Sequence, residues 1–409
     1  MSLNSTPSGE RIHIGIFGRR NAGKSSLINA LASQKLAIVS DYKGTTTDPV
    51  YKAMELLPLG PVMIIDTPGI DDEGELGQLR ISKTYQVLNK TDIAILVIDS
   101  NLGVNEEDIK LWHYIQKKNI PAILVFNKSE LLSEMEQAIL IAAALKLTNK
   151  FFFVSAANNI QIHELKEAIA SLKPKEKEYP LINDILETGD VVILVTPIDS
   201  AAPKGRLILP QQQVLRNIID KGAIAIVARE TELQTTLKRL SDPPRLVITD
   251  SQVFGKVNKM LPSSIPLTSF SILMARYKGN LYDAVKGVLQ LDKIKDGDKI
   301  LISEGCTHHR QCGDIGTVKL PAWIKNYTKS EPIFEFTSGT EFPVDLSGYK
   351  MIIHCGACML NEREIQYRYN CATEQLIPIT NYGIAIAYMN GILKRTVAPL
   401  PELAELFSK

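Results

Sequence analysis

The sequence predicts an α/β protein in three consecutive parts, a doubly wound parallel sheet followed by two smaller α/β domains. Short apolar runs alternate with helix-length amphipathic stretches along most of the 409 residues, the pattern of parallel strands joined by crossover helices. A glycine-rich turn follows the first of these runs at once. A charged, two-proline stretch, SLKPKEKEYPLIND (171–184), reads as a linker. These features divide the chain into residues 1–174, 175–268 and 269–409.

In the first part the strands are expected in RIHIGIFG, VMIIDTPG, DIAILVID, PAILVFNK and KFFFVSA, with a helix opening at Lys24. The second part supplies VVILVTPI, AIAIVA, RLVITD and PLTSFSIL as strands, and PQQQVLRNIIDKG and TELQTTLKRL as helices. It carries no glycine-rich loop and no cluster of reactive side chains, so assembly, as a dimer or higher homo-oligomer, is its expected role. The third part has strands at 299–303, 332–336, 349–354 and 377–380.

Composition narrows the function classes. Hydrophobic residues make up 45% and charged residues 22%, an ordinary globular balance. Forty-six Lys and Arg against 45 Asp and Glu leave a net charge of +1, and the first 174 residues are balanced as well, which counts against nucleic acid held by bulk charge. No apolar run approaches the roughly 18 residues of a membrane span, so no membrane is expected. The beginning lacks the apolar core of a secretory signal, and a cytoplasmic location is the expectation. Five Cys are too few for a disulfide scaffold.

Gly18-Arg19-Arg20-Asn21-Ala22-Gly23-Lys24-Ser25 matches the P-loop pattern, placed after a strand and opening a helix. Its glycines let the backbone N–H groups of Ala22, Gly23, Lys24, Ser25 and Ser26 close on phosphates. The Lys24 ammonium neutralises the β- and γ-phosphates, and the Ser25 hydroxyl binds Mg²⁺. Asp66-Thr67-Pro68-Gly69 ends the strand VMIID, where Asp66 is suited to hold the metal through water and the Gly69 N–H to meet the γ-phosphate. Between them lies Gly44-Thr45-Thr46-Thr47-Asp48, with Thr46 as the metal-reaching hydroxyl. Asn127-Lys128-Ser129-Glu130 follows the strand PAILVFN, and Ser155-Ala156 ends KFFFVSA.

Together these resemble the motifs of the small translation-factor-like GTPases. The resemblance implies GTP as substrate, read by Asn127, Lys128 and the acidic Glu130, with Ser155 and Ala156 at the guanine O6. The usual motif ends in Asp, and the extra methylene of Glu130 bears on affinity. A carboxylate accepts from guanine N1–H and the exocyclic amine, a pair that adenine does not offer. Lys24, Thr46, Asp66 and Gly69 would carry hydrolysis. Ile70 stands where relatives often place a water-orienting Gln, so intrinsic hydrolysis is expected to be slow. Ile70 also marks the subgroup in which a P-loop Asn, here Asn21, helps to bind K⁺ beside the phosphates.

Cysteine and histidine placement is uneven. The 53 residues from Cys306 to Cys358 hold four of the five Cys and three of the six His. Cys306-Thr307-His308 follows the strand KILIS, and His354-Cys355-Gly356-Ala357-Cys358 ends YKMII. If those strands are parallel neighbours, both groups reach one carboxyl edge of a sheet, where open α/β folds place ligands. Three thiolates and a His suit zinc or an iron–sulfur cluster. Inert cysteines are the expected reading for Cys312 and Cys371, and a solvent-facing ring for His309.

A P-loop domain, a featureless middle α/β unit and this Cys-x-His…His-Cys-x-x-Cys pattern resemble, over the whole chain, the HydF family of FeFe-hydrogenase maturation GTPases. The resemblance implies a [4Fe–4S] cluster on Cys306, Cys355 and Cys358, with an exchangeable fourth position for which His308, His354 or a non-His ligand are open alternatives. It also implies a dimerising middle domain and a scaffold role for the di-iron precursor of the hydrogenase active site. Its partners would be two radical-SAM maturases and the hydrogenase apoprotein. A ribosome- or tRNA-associated GTPase with a structural zinc module is the alternative, which balanced charge and the lack of RNA-binding motifs count against. A thiol–disulfide enzyme is disfavoured because the Cys pair ends a strand beside a second ligand group.

Overall fold

The computed structural model describes residues 6–32, 40–42, 49–69, 83–173, 179–197, 207–305, 315–339 and 341–403. They form two compact units, Met1–Glu176 and Lys177–Lys409. Thr46 and its neighbours 43–48, Ile70, Cys306, His308, His309 and Cys312 lie outside the described residues.

The strands of the first unit are β1 (Ile12–Phe17), β2 (Ser40–Tyr42), β3 (Val50–Leu56), β4 (Gly60–Asp66), β5 (Ile93–Asp99), β6 (Ala122–Asn127) and β7 (Phe151–Val154). They order as β2-β3-β4-β1-β5-β6-β7. β5 and β6 are buried at every position, as befits strands with both faces covered by helices. Two helices on this sheet begin at full capping boxes, Asn105 with Asp108 and Ser133 with Glu136.

The sheet departs from the expected parallel arrangement at one edge, where β3 runs antiparallel to both β2 and β4. A turn at 57–60 suffices to join β3 to β4, with Gly60 at φ +96°, whereas a parallel pair needs a crossover. The order reverses about β1, which is parallel to β4 on one side and to β5 on the other. That reversal opens a crevice at the carboxyl end of β1.

The second unit holds β8 (Val191–Val195), β9 (Ile224–Ala228), β10 (Leu246–Thr249) and β11 (Leu267–Ser269) in one parallel sheet, ordered β11-β10-β8-β9. β12 (Lys299–Ser303), β13 (Ile333–Thr337), β14 (Met351–His354) and β15 (Ile379–Asn381) form another, ordered β13-β12-β14-β15 and also parallel. A single continuous apolar core underlies both sheets.

Two expectations are corrected here. PLTSFSIL is a strand only over Leu267–Ser269, because the Ser269 hydroxyl accepts from the Ile272 N–H and opens the helix Phe270–Tyr277. The supposed linker is partly core: Leu181 and Ile182 are buried, each worth about 2 kcal/mol of apolar burial. Just beyond them, Asp184 makes two hydrogen bonds to buried Arg276, at 2.7 and 2.6 Å. Burial works to raise the Asp184 pKa, but the Arg276 bonds outweigh it and hold the carboxyl below its usual range. No helix among the described residues is long and apolar enough to cross a membrane.

Candidate functional site

The crevice beyond β1 is built largely from backbone. Gly18 sits at φ +138°, and a Cβ there would meet the Val97 carbonyl oxygen at 2.2 Å. Gly23 sits at φ +86°, with the Asn127 amide nitrogen 2.1 Å from where its Cβ would lie. Asn21 adopts the left-handed φ of +61°, which Asn tolerates better than most residues. The helix Lys24–Ala32 then starts. Lys24 Nζ donates to the Gly18 and Arg19 carbonyls at 2.8 and 2.7 Å, so the ammonium lies across the loop where phosphates bind. Ser25 Oγ donates to Asp66 Oδ2 at 2.8 Å, bringing together the two side chains expected to share Mg²⁺. Ser25 and Ser26 are exposed and Gly69 is partly buried.

The base-reading end is tied into the same loop. Asn127 donates to the Ala22 carbonyl at 3.1 Å and accepts from the Ala156 N–H at 3.1 Å. Lys128 is left-handed at φ +65° and pairs with Asp99 at the end of β5. Glu130 is exposed on the short turn Ser129–Leu131. Ser155 is fully buried, and its hydroxyl accepts from the Asn158 N–H at 3.1 Å. Asp99 escaped the sequence reading, as did the pair of Arg19 with buried Asp108 at 3.2 Å. Asp99 closes an apolar strand, which was the available signal.

The second site lies on the last sheet. β12 and β14 are parallel neighbours, with Ser303 beside His354, and the strand order reverses between them. The segment leading to Cys306 therefore meets the Cys355 loop. Cys355 Sγ accepts the Gly305 N–H at 3.0 Å and the Ala357 N–H at 3.4 Å. Such amide bonds favour thiolate charge and suit a soft-metal or iron–sulfur ligand. Ala357 takes the left-handed φ of +54° and turns the chain between the two cysteines.

Burial, then the charge of Cys355, pushes the Cys358 thiol up to about 11 against the opposing Lys278 ammonium. Lys278 is itself buried and donates to the Leu360 carbonyl at 2.8 Å. Among the described residues no three His, Cys, Asp or Glu side chains form a metal-sized cluster, and Cys306 and His308 are not among those residues.

His354 is 1% exposed and engaged at both ring nitrogens, Nδ1 with the Cys355 carbonyl and Nε2 with Arg368 Nη1, each at 2.9 Å. Arg368 was not anticipated. Its signal was the Glu364–Arg368 pair, four residues apart on a helical stripe that also carries Ile365, Tyr369 and Ala372, all buried.

Three families of sequence match this chain. "50S ribosome-binding GTPase" covers residues 13–128, "Hydrogen maturase F dimerization domain" 181–279 and "Hydrogen maturase F tetramerization domain" 282–399. GTPase Der of Wolinella succinogenes is 36% identical over 174 residues, which are 41% of this chain and 36% of that protein. The tRNA modification GTPase MnmE of Carboxydothermus hydrogenoformans is 32% identical over 215 residues, 47% of this chain and 45% of that protein. The chain thus spans less than half the length of these curated relatives. A crystal structure of Aquifex aeolicus Era bound to GDP and AlF4⁻ covers 61% of this chain and 97% of that one, at 18% identity and a TM-score of 0.35. A GTPase domain followed by dimerization and tetramerization domains of one kind, in the order in which the two units present them, makes this chain a member of the hydrogen maturase F family.

Proposed function

We propose that this protein hydrolyses GTP and serves as an iron–sulfur scaffold, assembling the di-iron precursor of the FeFe-hydrogenase active site and delivering it to the apoprotein. Two radical-SAM maturases are its other partners, and it works as a homo-oligomer. The observation that carries the reading is the parallel pairing of β12 and β14, which sets the Gly305 N–H on Cys355 Sγ one residue before Cys306.

In the first unit, Lys24, Ser25 and the loop amides grip the phosphates, Ser25 with Asp66 and Thr46 hold Mg²⁺, and the Gly69 N–H meets the γ-phosphate. With Ile70 in place of a carboxamide the attacking water is poorly oriented and turnover is slow, so K⁺ beside Asn21 supplies charge that an arginine finger would otherwise bring. Ordering of the segments around Thr46 and Gly69 by the γ-phosphate then biases a partner interface.

In the second unit, Cys306, Cys355 and Cys358 hold a [4Fe–4S] cluster, which supplies an iron atom with a position free for a further molecule. The backbone amides on Cys355 Sγ offset thiolate charge, and the buried walls of the Cys358 turn keep water away.

The test is anaerobic purification with iron and sulfide analysis and EPR of the reduced protein, repeated with Cys306→Ala and Cys355→Ala. A cubane signal lost in both variants is expected. Zinc without sulfide would sink the scaffold reading and leave a GTPase with a structural metal.

A further inference from the structure

Next to the Cys355 loop, one buried guanidinium ties three strand ends together. Arg368, on the helix Glu362–Glu374, is 0% exposed. Its Nη1 donates to Ser303 Oγ at 3.1 Å, at the end of β12, and to His354 Nε2 at 2.9 Å, at the end of β14. Its Nη2 donates to the Gly339 carbonyl at 2.7 Å, two residues past β13. Nε and Nη2 both reach Glu364 Oε1, at 3.0 and 2.9 Å, so the charge is paired. Ser303 Oγ also accepts from Thr337 Oγ1 at 3.0 Å, at the end of β13. The five N–H groups of a guanidinium match these five bonds.

The chemistry fixes the state of His354. A guanidinium only donates, so Nε2 is an acceptor, and the proton sits on Nδ1 and is given to the Cys355 carbonyl. Coordination through Nε2 would strip a buried cation of a partner, and coordination through Nδ1 would break the bond to the Cys355 carbonyl. The first change leaves a buried guanidinium N–H unsatisfied, and the second gives up a bond that anchors the Cys355 backbone.

Building on the scaffold reading above, we propose that Arg368 and His354 are positioning residues for the cysteine site. Arg368 sets the spacing between the strand that leads to Cys306 and the strand that leads to Cys355, and His354 anchors the Cys355 backbone. His354 is therefore not a cluster ligand, and the fourth position belongs to another group.

The experiment uses the full chain with ¹⁵N-labelled histidine, as wild type and as Arg368→Met, Arg368→Lys and His354→Gln. In the metal-free protein, NMR is expected to give a His354 signal, identified by its loss in His354→Gln, with a protonated Nδ1 and a bare Nε2. In the reconstituted, reduced protein, pulsed EPR is expected to show no coupling of a bound imidazole that His354→Gln removes. Arg368→Met, with its fold checked by circular dichroism and melting, should surrender iron to a chelator about 10–100 times faster than wild type, as losses behind a metal ligand do. Arg368→Lys should recover part of that retention.

A bound-imidazole coupling that disappears in His354→Gln would overturn the assignment. So would the opposite tautomer, or wild-type iron retention in Arg368→Met. If Arg368→Met fails to fold, the tautomer and the EPR of His354→Gln still decide. A wild-type chain that takes up no iron and sulfide would defeat the scaffold reading alone, because the tautomer is read without metal.

Discussion

The phosphate loop and the Cys355 loop occupy equivalent places, each past the carboxyl end of a central parallel strand where the sheet order reverses. They are made by opposite means. The phosphate loop is one contiguous stretch whose shape comes from backbone conformation, with Gly18, Asn21 and Gly23 all at positive φ. The Cys355 loop instead meets the Gly305 backbone, about fifty residues earlier in the chain, and buried side chains bond the strand ends behind the two. A backbone site therefore fails through steric strain at single positions. A side-chain site fails through lost charge and hydrogen bonds at a distance from the ligand.

Gly23→Ala is the sharpest way to break the first half of that contrast. The added methyl lands on the Asn127 amide at a φ that L-residues avoid, strain of about 1–3 kcal/mol before any clash is counted. GTP affinity, read with a fluorescent analogue, should fall by about a hundredfold; undiminished affinity would show that the loop yields and is not backbone-determined. Potassium comes next. GTP turnover should be about tenfold faster in K⁺ than in Na⁺. Asn21→Gly, which removes the side chain while keeping the positive φ at no strain, should abolish the difference. Equal rates in the two salts for the wild type would remove K⁺ from the mechanism.

The cysteine site gives a gentler pH signature. With the Cys358 thiol pushed up to about 11 by burial, its alkylation in metal-free protein should keep accelerating past the usual thiol pKa of about 8.5. The sign for stability follows. Below that ordinary value the thiol is neutral, folded or unfolded, and contributes nothing; between it and about 11 only the unfolded chain ionises, so the metal-free unit loses stability as pH rises through that window. A plateau near pH 8.5 would show that Cys358 is not sheltered.

The phosphate loop was legible because its residues are adjacent and their spacing is dictated by the phosphates. The convergence of the two cysteine segments was legible only conditionally, since no local pattern says that β12 and β14 are neighbours. Other features were hidden for definable reasons. PLTSFSIL is short and largely buried, and periodicity does not separate a buried strand from a buried helix over such a length; the hydroxyl of Ser269 decides it. VYKAMEL carries Lys and Glu and looks unlike the all-apolar central strands, so the antiparallel strand between β2 and β4 went unmarked. Glu364 and Arg368 have the spacing of an ordinary surface pair. What buries them is the need of Ser303, His354 and Gly339 for a common donor, a demand that exists only after the sheet has formed.

The seam between the two hydrogen maturase F domains falls at residues 280–281, yet nothing physical parts there. The core runs unbroken from Leu181 to Leu403. Arg395, far along the second domain, donates to Asn258 Oδ1 at 2.7 Å and to the Ile265 carbonyl at 2.9 Å in the first. The two matched domains share one apolar core. A truncation at the seam would not release a free-standing domain but would split a core, leaving Val285 and Val397 on one side, and Val257 and Leu267 on the other, facing water.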